Sequence, residues 1–317
     1  MTPSVPVVVA GDSLVDLIVH PDGRIAAAPG GGAYNTARTL GRLGVPIAWL
    51  GRLSTDRFGR DLRAHLVADG VRDTLFVATD DPTTLALAEL DPSGAATYRF
   101  YTEGTSAPGL TRADALRALD PLPPALHVGT LGLVLEPMAG AIEALGDARP
   151  AGPLVMLDPN CRPLVVRDPA AYRARIARVA ARAHVIKAST EDLAYLAPDA
   201  TPTDAARALV RGATRCVLWT DGGGPVRVIG AGWERTVPTP RVTVADTIGA
   251  GDAFGGGFLA DWLARGLAPD ALADADAVMA CVRSAVIVAA LTCTRPGADP
   301  PRPAELAAAR ASGLGGS

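Results

Sequence analysis

Towards its C-terminal end the chain combines two glycines with two carboxylates in the run Asp246-Thr247-Ile248-Gly249-Ala250-Gly251-Asp252. The glycines allow tight backbone turns and a close approach of the main chain to a ligand. A helix is predicted to begin near Asp252, so that the free N–H groups of its first turn would face the glycine loop. Those groups and the helix dipole favour an anion such as a phosphate. The run therefore predicts an anion-binding loop with a carboxylate beside it.

Asp252 admits two interpretations. Aspartate is favoured at helix starts, where its side chain caps backbone N–H groups. Capping alone does not explain the Gly-x-Gly arrangement directly before it. In phosphoryl transfer, the loop would hold the charge of the transferred group, and the carboxylate would accept the proton of the attacking hydroxyl. We predict Asp252 as the catalytic base, with Gly249, Ala250 and Gly251 forming the anion hole.

The loop resembles the C-terminal signature of the ribokinase-like (pfkB) carbohydrate kinases. A second run, Gly-Gly-Gly-Ala-Tyr-Asn-Thr-Ala at residues 30–37, resembles the Gly-Gly-x-x-x-Asn-x-Ala sugar-binding turn of the same family. The two runs occur in the family's order, which is far more specific than either run alone. The resemblance covers nearly the whole chain, and its pattern is most similar to fructokinase-like members. It implies an ATP-dependent sugar kinase in which Gly31, Gly32 and Asn35 bind the sugar.

Three further segments resemble the family. Asp16 matches an aspartate that binds sugar hydroxyls, as a carboxylate that accepts two hydrogen bonds can; the alternative is an exposed strand residue. Arg162 lies in Asp-Pro-Asn-Cys-Arg, which resembles a segment of fructokinase-like members. Its guanidinium would face phosphate or substrate, and a surface salt bridge is the alternative. Thr220-Asp221-Gly222 resembles the family's nucleotide turn.

The resemblance also implies ATP and Mg²⁺ as cofactors and leaves a K⁺ ion open. The residues that would contact ATP are Lys187, Ser189, Thr220, Gly222 and Gly251. Where the family often carries Asn-x-x-Glu near Mg²⁺, this chain has Ser189-Thr190-Glu191-Asp192. Either Glu191 or Asp192 would then support the metal through water, while Ser189 also suits a helix cap. Asp246 is the candidate for a monovalent cation.

Short strand-like runs alternate with helical segments, which predicts an α/β fold with a doubly wound, mostly parallel sheet flanked by helices. Strands are predicted at residues 5–10, 47–50, 126–128, 154–157, 185–186 and 216–219, and helices at 34–43, 57–69, 112–119, 137–145, 170–183 and 203–211. Residues 14–28 and 84–101 instead indicate two antiparallel hairpins, the second around Asp-Pro-Ser-Gly at 91–94. We predict one kinase domain over residues 1–317, a small β-sheet lid from residues 13–28 and 83–105, and a C-terminal tail, 300–317, that frays.

Composition and charge limit the partners. The net charge is −3 and no Lys/Arg run stands out, so a nucleic-acid footprint is not indicated. The start has no basic n-region, and no window approaches the ~20 apolar residues of a membrane span. The four cysteines have no CxxC spacing, which fits a reducing compartment. We expect a cytoplasmic protein whose partners are a sugar and ATP, and the resemblance implies a homodimer formed through the lid.

Two other classes of function fit the sequence less well. Gly249, Gly251 and Gly255 loosely match a dinucleotide fingerprint, but that motif belongs in the first βα unit of its domain. A non-catalytic sugar sensor on the same fold would not need Asp252.

The sequence constrains the identity of the acceptor less than it constrains the type of reaction. Acid-sugar kinases of the family tend to carry an arginine where this chain has Thr-Glu-Gly at residues 102–104. Because Glu103 would repel an anionic acceptor, we favour a neutral sugar. D-fructose is the first candidate, and ribose, a nucleoside or 2-keto-3-deoxygluconate stay open.

Overall fold

The computed structural model describes residues 5–91, 96–148 and 152–314. Within these residues the chain forms a ten-stranded sheet and a separate four-stranded sheet, together with ten α-helices. The strands are β1 (Val7–Ala10), β2 (Leu14–Val19), β3 (Ile25–Gly30), β4 (Ile47–Ser54), β5 (Val71–Arg72), β6 (Phe76–Thr79), β7 (Leu85–Leu90), β8 (Ala96–Tyr101), β9 (Ala125–Gly129), β10 (Leu154–Asp158), β11 (Val185–Ser189), β12 (Cys216–Thr220), β13 (Val226–Gly230) and β14 (Trp233–Val237). The helices are α1 (Gly32–Arg42), α2 (Arg57–Ala68), α3 (Arg112–Leu116), α4 (Met138–Ala148), α5 (Pro169–Ala180), α6 (Thr190–Leu196), α7 (Pro202–Leu209), α8 (Ala250–Ala264), α9 (Ala275–Cys293) and α10 (Pro303–Ala311).

The ten-stranded sheet has the order β14-β13-β12-β11-β10-β9-β1-β4-β5, with β6 beside β4. Its pairs from β12 through β5 are parallel, and β13 and β14 add an antiparallel edge. The strands β1, β9 and β10 are buried throughout, as expected where helices cover both faces of a parallel sheet. The predicted doubly wound fold is confirmed.

Two hydrophobic cores lie on opposite faces of this sheet. One contains Trp49, Phe258 and Trp262 and gathers α1, α2, α8, α9 and α10. The other contains Met138 and Ile176 and gathers the remaining helices. The helices are therefore divided between both faces, and α1 and α8 share one of them.

Helix α8 is buried because three consecutive glycines let its neighbours approach. A Cβ atom added to Gly256 would lie 2.7 Å from Cβ of Thr39 in α1. One added to Gly257 would lie 3.0 Å from Cβ of Val288 in α9, and one on Gly255 would face the sheet at Met156. Larger residues would push α8 away from α1, so the glycine run after Asp252 sets the position of the predicted base.

The small sheet has the order β3-β2-β7-β8. Its pairs β2–β3 and β7–β8 are antiparallel, so the two predicted hairpins are confirmed as strand pairs. The parallel pairing of β2 with β7 joins them, and nothing in the local sequence signalled that pairing. The turn residues predicted at 92–94 lie outside the described residues.

The prediction that the tail from residue 300 frays is wrong for residues 303–311, which form α10. Oε2 of Glu305 accepts a hydrogen bond from the N–H of Arg302 at 2.7 Å and so caps the helix start. Leu306 and Ala309 are buried in the core beside α9. Burial of these side chains therefore orders a segment whose end composition suggested disorder; residues 315–317 lie outside the described part of the chain.

The expectation that no segment approaches a membrane span overlooked α9. This helix of 19 residues is long and apolar enough to cross a membrane by length and composition. Most of its apolar stretch is buried against the rest of the protein, and it packs on α8 through Gly257. A core helix passes the same test of length and composition, and its burial favours that interpretation.

A buried ion-pair network fixes α1 to its surroundings. Asp69, which follows α2, accepts hydrogen bonds from Nε of Arg38 at 2.7 Å and Nε of Arg42 at 2.8 Å. Arg38 also donates to the carbonyl oxygen of Ala298 at 2.9 Å. The side chains of Arg38 and Asp69 are only 7% and 5% exposed, so each depends on the other for its charge to be tolerated.

We expect Asp69→Ala to destabilise the fold by about 3–5 kcal/mol, because it leaves Arg38 buried without its carboxylate. The matched control is Asp61→Ala, which removes the partner of Arg57 in a pair whose side chains are 78% and 48% exposed. The control should hardly move the midpoint of urea unfolding, since exposed ion pairs contribute little. Equal small shifts in both variants would contradict a structural role for the network.

Candidate active site

Two cavities meet at the start of α8. The first cavity, of about 690 Å³, lies between the small sheet and the carboxyl ends of the main-sheet strands. The second cavity, of about 600 Å³, lies between the ends of β11 and β12, the segment 239–247, α8 and α9. Residues Lys187, Thr247 and Gly251 line both. The predicted anion loop therefore separates two spaces that could each hold a small molecule.

The loop before α8 depends on glycine at position 249. Gly249 has φ +75°, and a Cβ atom there would lie 2.5 Å from Cβ of Ala298. Both the left-handed conformation and the contact exclude a larger residue. Helix α8 then begins at Ala250, whose N–H donates to the carbonyl oxygen of Thr247 at 3.2 Å, and the following N–H groups of its first turn lie where the cavities meet. This is the geometry of an anion site at a helix N-terminus.

Asp252 lies in the first turn of α8 and is 7% exposed. Its Oδ2 accepts a hydrogen bond from Nδ2 of Asn35 at 2.9 Å. Burial, followed by the negative charge of Asp158, raises the pKa of Asp252 to about 7, while the Asn35 hydrogen bond and the positive charge of Lys187 oppose that rise. A carboxyl group with this pKa is a competent proton acceptor at neutral pH.

Lys187, on β11, places a positive charge at the junction of the cavities. Its Nζ donates to Oδ2 of Asp158 at 3.0 Å, and a Cβ atom on Gly251 would lie only 2.8 Å from Nζ. Burial alone would lower the pKa of this amine. The negative charges of Asp158, Asp192 and Asp252 have the larger combined effect, so the pKa of Lys187 is raised. The ammonium group therefore stays charged beside the anion loop.

All five residues predicted to bind the sugar line the first cavity, namely Asp16, Gly31, Gly32, Asn35 and Arg162. Burial raises the pKa of Asp16 to about 6, and the charge of Arg162 opposes the rise. Among the described residues, Oδ1 of Asn35 is buried without a hydrogen-bond donor. It is therefore available to accept a hydrogen bond from a ligand hydroxyl.

Arg162 forms no salt bridge within the described part of the chain. Its guanidinium donates to the carbonyl oxygen of Cys161 at 3.1 Å and lines the first cavity. The surface salt bridge considered as an alternative is therefore not seen. The side chain is exposed and can turn towards a ligand.

The residues predicted to contact ATP line the second cavity, namely Lys187, Ser189, Thr220, Gly222 and Gly251. Ala250 joins them at the start of α8. The rest of the wall is mostly apolar and includes Val226, Val242, Val244, Phe254, Val286, Ala289 and Ala290. An apolar slot with polar groups at one end suits a flat base attached to phosphates. The segment 239–244 carried no signal in the sequence.

The structure does not bring Glu191 and Asp192 into either cavity wall. Oδ1 of Asp192 accepts the N–H of Cys161 at 2.6 Å, and Oδ2 accepts the N–H of Ser189 at 2.8 Å. Oγ of Ser189 in turn accepts a hydrogen bond from the N–H of Asp192 at 3.1 Å, so the predicted helix cap is confirmed as a capping box. Asp192 thus braces two backbone segments, whereas Glu191 is exposed.

Asp246 joins the anion loop to the turn before α10. Its Oδ1 accepts the N–H of Ile248 at 3.0 Å, and its Oδ2 accepts the N–H of Gly297 at 2.8 Å. It also lines the first cavity. Among the residues that the structure describes, no group of three or more His, Cys, Asp or Glu side chains could hold a metal ion.

Sequence reasoning missed Asp12, Thr130 and Asn160, which all line the first cavity. Each follows the end of a parallel strand, β1, β9 or β10. Ligands of open α/β sheets bind outside the carboxyl ends of the strands, so strand prediction combined with polar residue type could have found them.

Glu103 does not face the acceptor, so the prediction that its charge would repel an anionic acceptor is wrong. Glu103 does not line the first cavity; it is exposed and pairs with Arg167. The negative charge inside the cavity comes instead from Asp12, Asp16 and Asp252, together with Asp246 at its edge. Arg162 and Lys187 also line this cavity, but the four carboxylates outnumber them. A neutral, hydroxyl-rich ligand therefore suits this wall better than an anion, because carboxylates accept hydrogen bonds and repel negative charge.

Asn35→Ala should raise the pKa of Asp252 above its value of about 7, because it removes the hydrogen bond that stabilises the ionised carboxylate. Carbon-13 NMR titration of aspartate-labelled protein measures this pKa, with Asp252→Asn assigning the resonance. Asn160→Ala changes the same cavity without touching Asp252 and should leave the pKa unchanged. An ordinary pKa near ~4 in the unsubstituted protein would contradict the burial argument.

Comparison with known proteins agrees with this geometry. The family model of pfkB family carbohydrate kinases matches residues 7–305. A fructokinase of Rhizobium leguminosarum bv. trifolii is 37% identical over 254 residues, which cover 79% of this chain and 77% of that protein.

Two solved structures extend the comparison. The crystal structure of fructokinase with bound ATP from Xylella fastidiosa matches with a TM-score of 0.89 and 27% identity, covering 97% of this chain and 98% of that one. Aminoimidazole riboside kinase from Salmonella enterica, complexed with aminoimidazole riboside and an ATP analogue, matches with a TM-score of 0.80 and 28% identity over 96% of this chain and 99% of that one. From the family match and the fold, the chain belongs to the pfkB family of carbohydrate kinases.

Proposed function

We propose that this carbohydrate kinase transfers the γ-phosphate of ATP to D-fructose and forms fructose 6-phosphate. The observation that carries the proposal is the junction of the two cavities at Gly251 and Lys187, with Asp252 at the wall of the first cavity only. A donor in the second cavity and an acceptor in the first would meet at the start of α8. The relatives named fructokinase support fructose as the acceptor.

The mechanism follows from the positions of these groups. An acceptor hydroxyl in the first cavity lies beside Asp252, whose carboxylate takes its proton as the oxygen attacks the γ-phosphorus. The new O–P bond forms while the bond from that phosphorus to the β-phosphate oxygen breaks, and ADP leaves with the electron pair. The N–H groups at the start of α8 and the ammonium of Lys187 stabilise the charge on the transferred group.

Asp16, the Gly31–Gly32 turn and Asn35 would orient the sugar. The buried Oδ1 of Asn35 lacks a donor among the described residues, and its Nδ2 already holds Asp252. One side chain thus joins the acceptor to the base. Such positioning places the reacting hydroxyl at contact distance and lowers the entropy cost of the reaction.

The residues present fit Mg²⁺ as an ion carried by the nucleotide rather than held in a protein cage. Mg²⁺ keeps several waters and commonly binds through phosphates with one or two carboxylates. Asp158 lines neither cavity, but its Oδ1 is buried without a partner in the described chain and its Oδ2 holds Lys187 beside the anion loop, so this carboxylate would be the candidate for that role. When bound, the ion would neutralise phosphate charge. A water-mediated role for Glu191 or Asp192, and a monovalent cation at Asp246, stay predictions.

The small sheet would act as a lid, because its strands β2, β7 and β8 form one wall of the first cavity. Closure would exclude water, which competes as an acceptor. Pairing of two chains through this sheet and a cytoplasmic location also stay predictions.

A riboside is the second candidate acceptor. Two aromatic side chains of β8, Tyr98 and Phe100, line the first cavity, and aromatic rings can stack on a heterocyclic base. The Salmonella enterica riboside kinase shares the fold over nearly the whole chain. Fructose is favoured over this candidate because the relatives by sequence are named fructokinase.

Release of ADP from ATP and Mg²⁺ should be fastest with fructose in a panel of fructose, ribose, nucleosides, aminoimidazole riboside and 2-keto-3-deoxygluconate. Asp252→Asn should lower kcat by at least about 100-fold, because it removes the proton acceptor. If another acceptor turns over faster and this activity is also lost in Asp252→Asn, the proposed kinase mechanism stands and fructose is replaced as the proposed acceptor. Full activity of Asp252→Asn would refute the mechanism, and no turnover with any acceptor would favour a sensor.

The rate should fall at acid pH because Asp252 must be ionised to accept a proton. With a pKa raised to about 7, kcat/KM for the acceptor should level off above that pH and drop about tenfold per unit well below it. Asn35→Ala should move the acid side of this pH–rate profile to higher pH. A rate that is flat between about pH 5.5 and 8.5 would contradict the assignment of Asp252 as the base.

A further inference from the structure

Thr130 holds an unusual backbone conformation at the wall of the first cavity. Within the described part of the chain, two residues other than glycine have positive φ, Thr130 at 56° and Asn160 at 37°. Asparagine tolerates this region because its short polar side chain can bond locally, but for a β-branched residue it is a genuine outlier. Such strain persists where surrounding contacts hold it, and it concentrates at ligand sites.

Two contacts hold Thr130 in place. Its hydroxyl donates a hydrogen bond to Oδ1 of Asp12. Its methyl carbon Cγ2 lies 2.3 Å from the point that a Cβ atom on Gly32 would occupy, so the methyl group fills the space that the glycine leaves. Thr130 and Asp12 are 3% and 1% exposed. The side chain is thus fixed at both ends.

Asp12 carries this restraint to the turn that begins α1. Its carbonyl oxygen accepts the N–H of Tyr34 at 3.3 Å. A Cβ atom on Gly31 would lie 2.8 Å from that carbonyl oxygen and 3.0 Å from Oδ2 of the Asp12 carboxylate. The Gly31–Gly32 turn is therefore packed against Asp12 on one side and Thr130 on the other. Asn35 follows in the first turn of the same helix and holds Asp252.

We propose that Thr130, held by Asp12, is a positioning residue for the acceptor. This inference rests on the proposed function, since the acceptor site is the one assigned above. The Thr130 hydroxyl orients the Asp12 carboxylate, and its methyl group sets the distance between the Gly31–Gly32 turn and the end of β9. Together they fix where an acceptor hydroxyl lies relative to Asn35 and Asp252. The strained backbone is retained because a relaxed residue would not present both groups.

The test separates the hydroxyl from the methyl group. Thr130→Val keeps the branched shape and removes a hydrogen bond to a carboxylate, so KM for fructose should rise about tenfold while KM for ATP changes less than about twofold. Thr130→Ser keeps the hydrogen bond and should raise KM for fructose by less than about threefold. The fructose dissociation constant, measured by calorimetry, should follow KM. Thr130→Ala carries the same expectation as the valine variant if that variant does not fold.

Thr214→Val is the matched control. Thr214 is buried, donates to the carbonyl oxygens of Ala180 and Ala183 at 2.9 and 3.1 Å, and lines neither cavity. This control should lower Tm and leave both KM values unchanged. The inference would be overturned if the Thr130 variants behaved like this control, with a lower Tm and an unaltered KM for fructose. If the unsubstituted enzyme prefers another sugar, the comparison is made with that sugar; if it phosphorylates none, the proposed function fails and the inference with it.

Discussion

The hydrogen bond from Asn35 to Asp252 is the contact on which the site depends. It joins the first turn of α1 to the first turn of α8 inside the protein, at 2.9 Å. Thr36 adds a longer contact from its hydroxyl to the carbonyl oxygen of Asp252, at 3.4 Å. Gly256 allows this approach because a side chain there would collide with Thr39. Helix α1 therefore presents the Gly31–Gly32 turn, helix α8 begins at the Gly249–Gly251 loop, and their packing sets the distance between the two.

Burial of the Asn35–Asp252 hydrogen bond also determines how readily Asp252 holds a proton. Removal from water raises the pKa of Asp252, and the nearby carboxylate of Asp158 raises it further. The charge of Lys187 limits the rise and is itself held in place by Asp158. The same low-dielectric environment that makes Asp252 basic also strengthens the attraction between Lys187 and a phosphate. In the proposed mechanism, proton acceptance and phosphate stabilisation would therefore both come from one buried cluster.

Much of this arrangement could be predicted from local sequence. The Gly-x-Gly before Asp252 and the glycines before Asn35 are local signals, because the backbone conformations that they permit depend on the residues themselves. The parallel sheet followed from strands that alternate with helices. The contact between Asn35 and Asp252 could not be predicted from local sequence, since it joins residues that come together only through tertiary packing. The strands β5, β6, β13 and β14 were missed; β5 has only two residues, and β14 lies at the edge of the sheet.

Three further features that the sequence did not predict correctly also have specific physical causes. Asp192 is adjacent to Glu191 in a segment that the family resemblance connects with Mg²⁺, but only the fold shows both of its oxygens bonded to backbone N–H groups. Helix α10 forms because Leu306 and Ala309 find a core to enter, which composition does not reveal. Glu103 is close in sequence to the small sheet but points to Arg167 instead of the cavity. In each case tertiary contacts decided what a side chain does.

The most direct test of the central claim is a crystal structure of the protein with fructose and a non-hydrolysable ATP analogue. We expect a fructose hydroxyl about 3 Å from the carboxylate of Asp252, with the γ-phosphate at the start of α8 and the base of the nucleotide in the second cavity. A sugar bound away from Asp252, or a γ-phosphate that does not reach the N-terminus of α8, would contradict it.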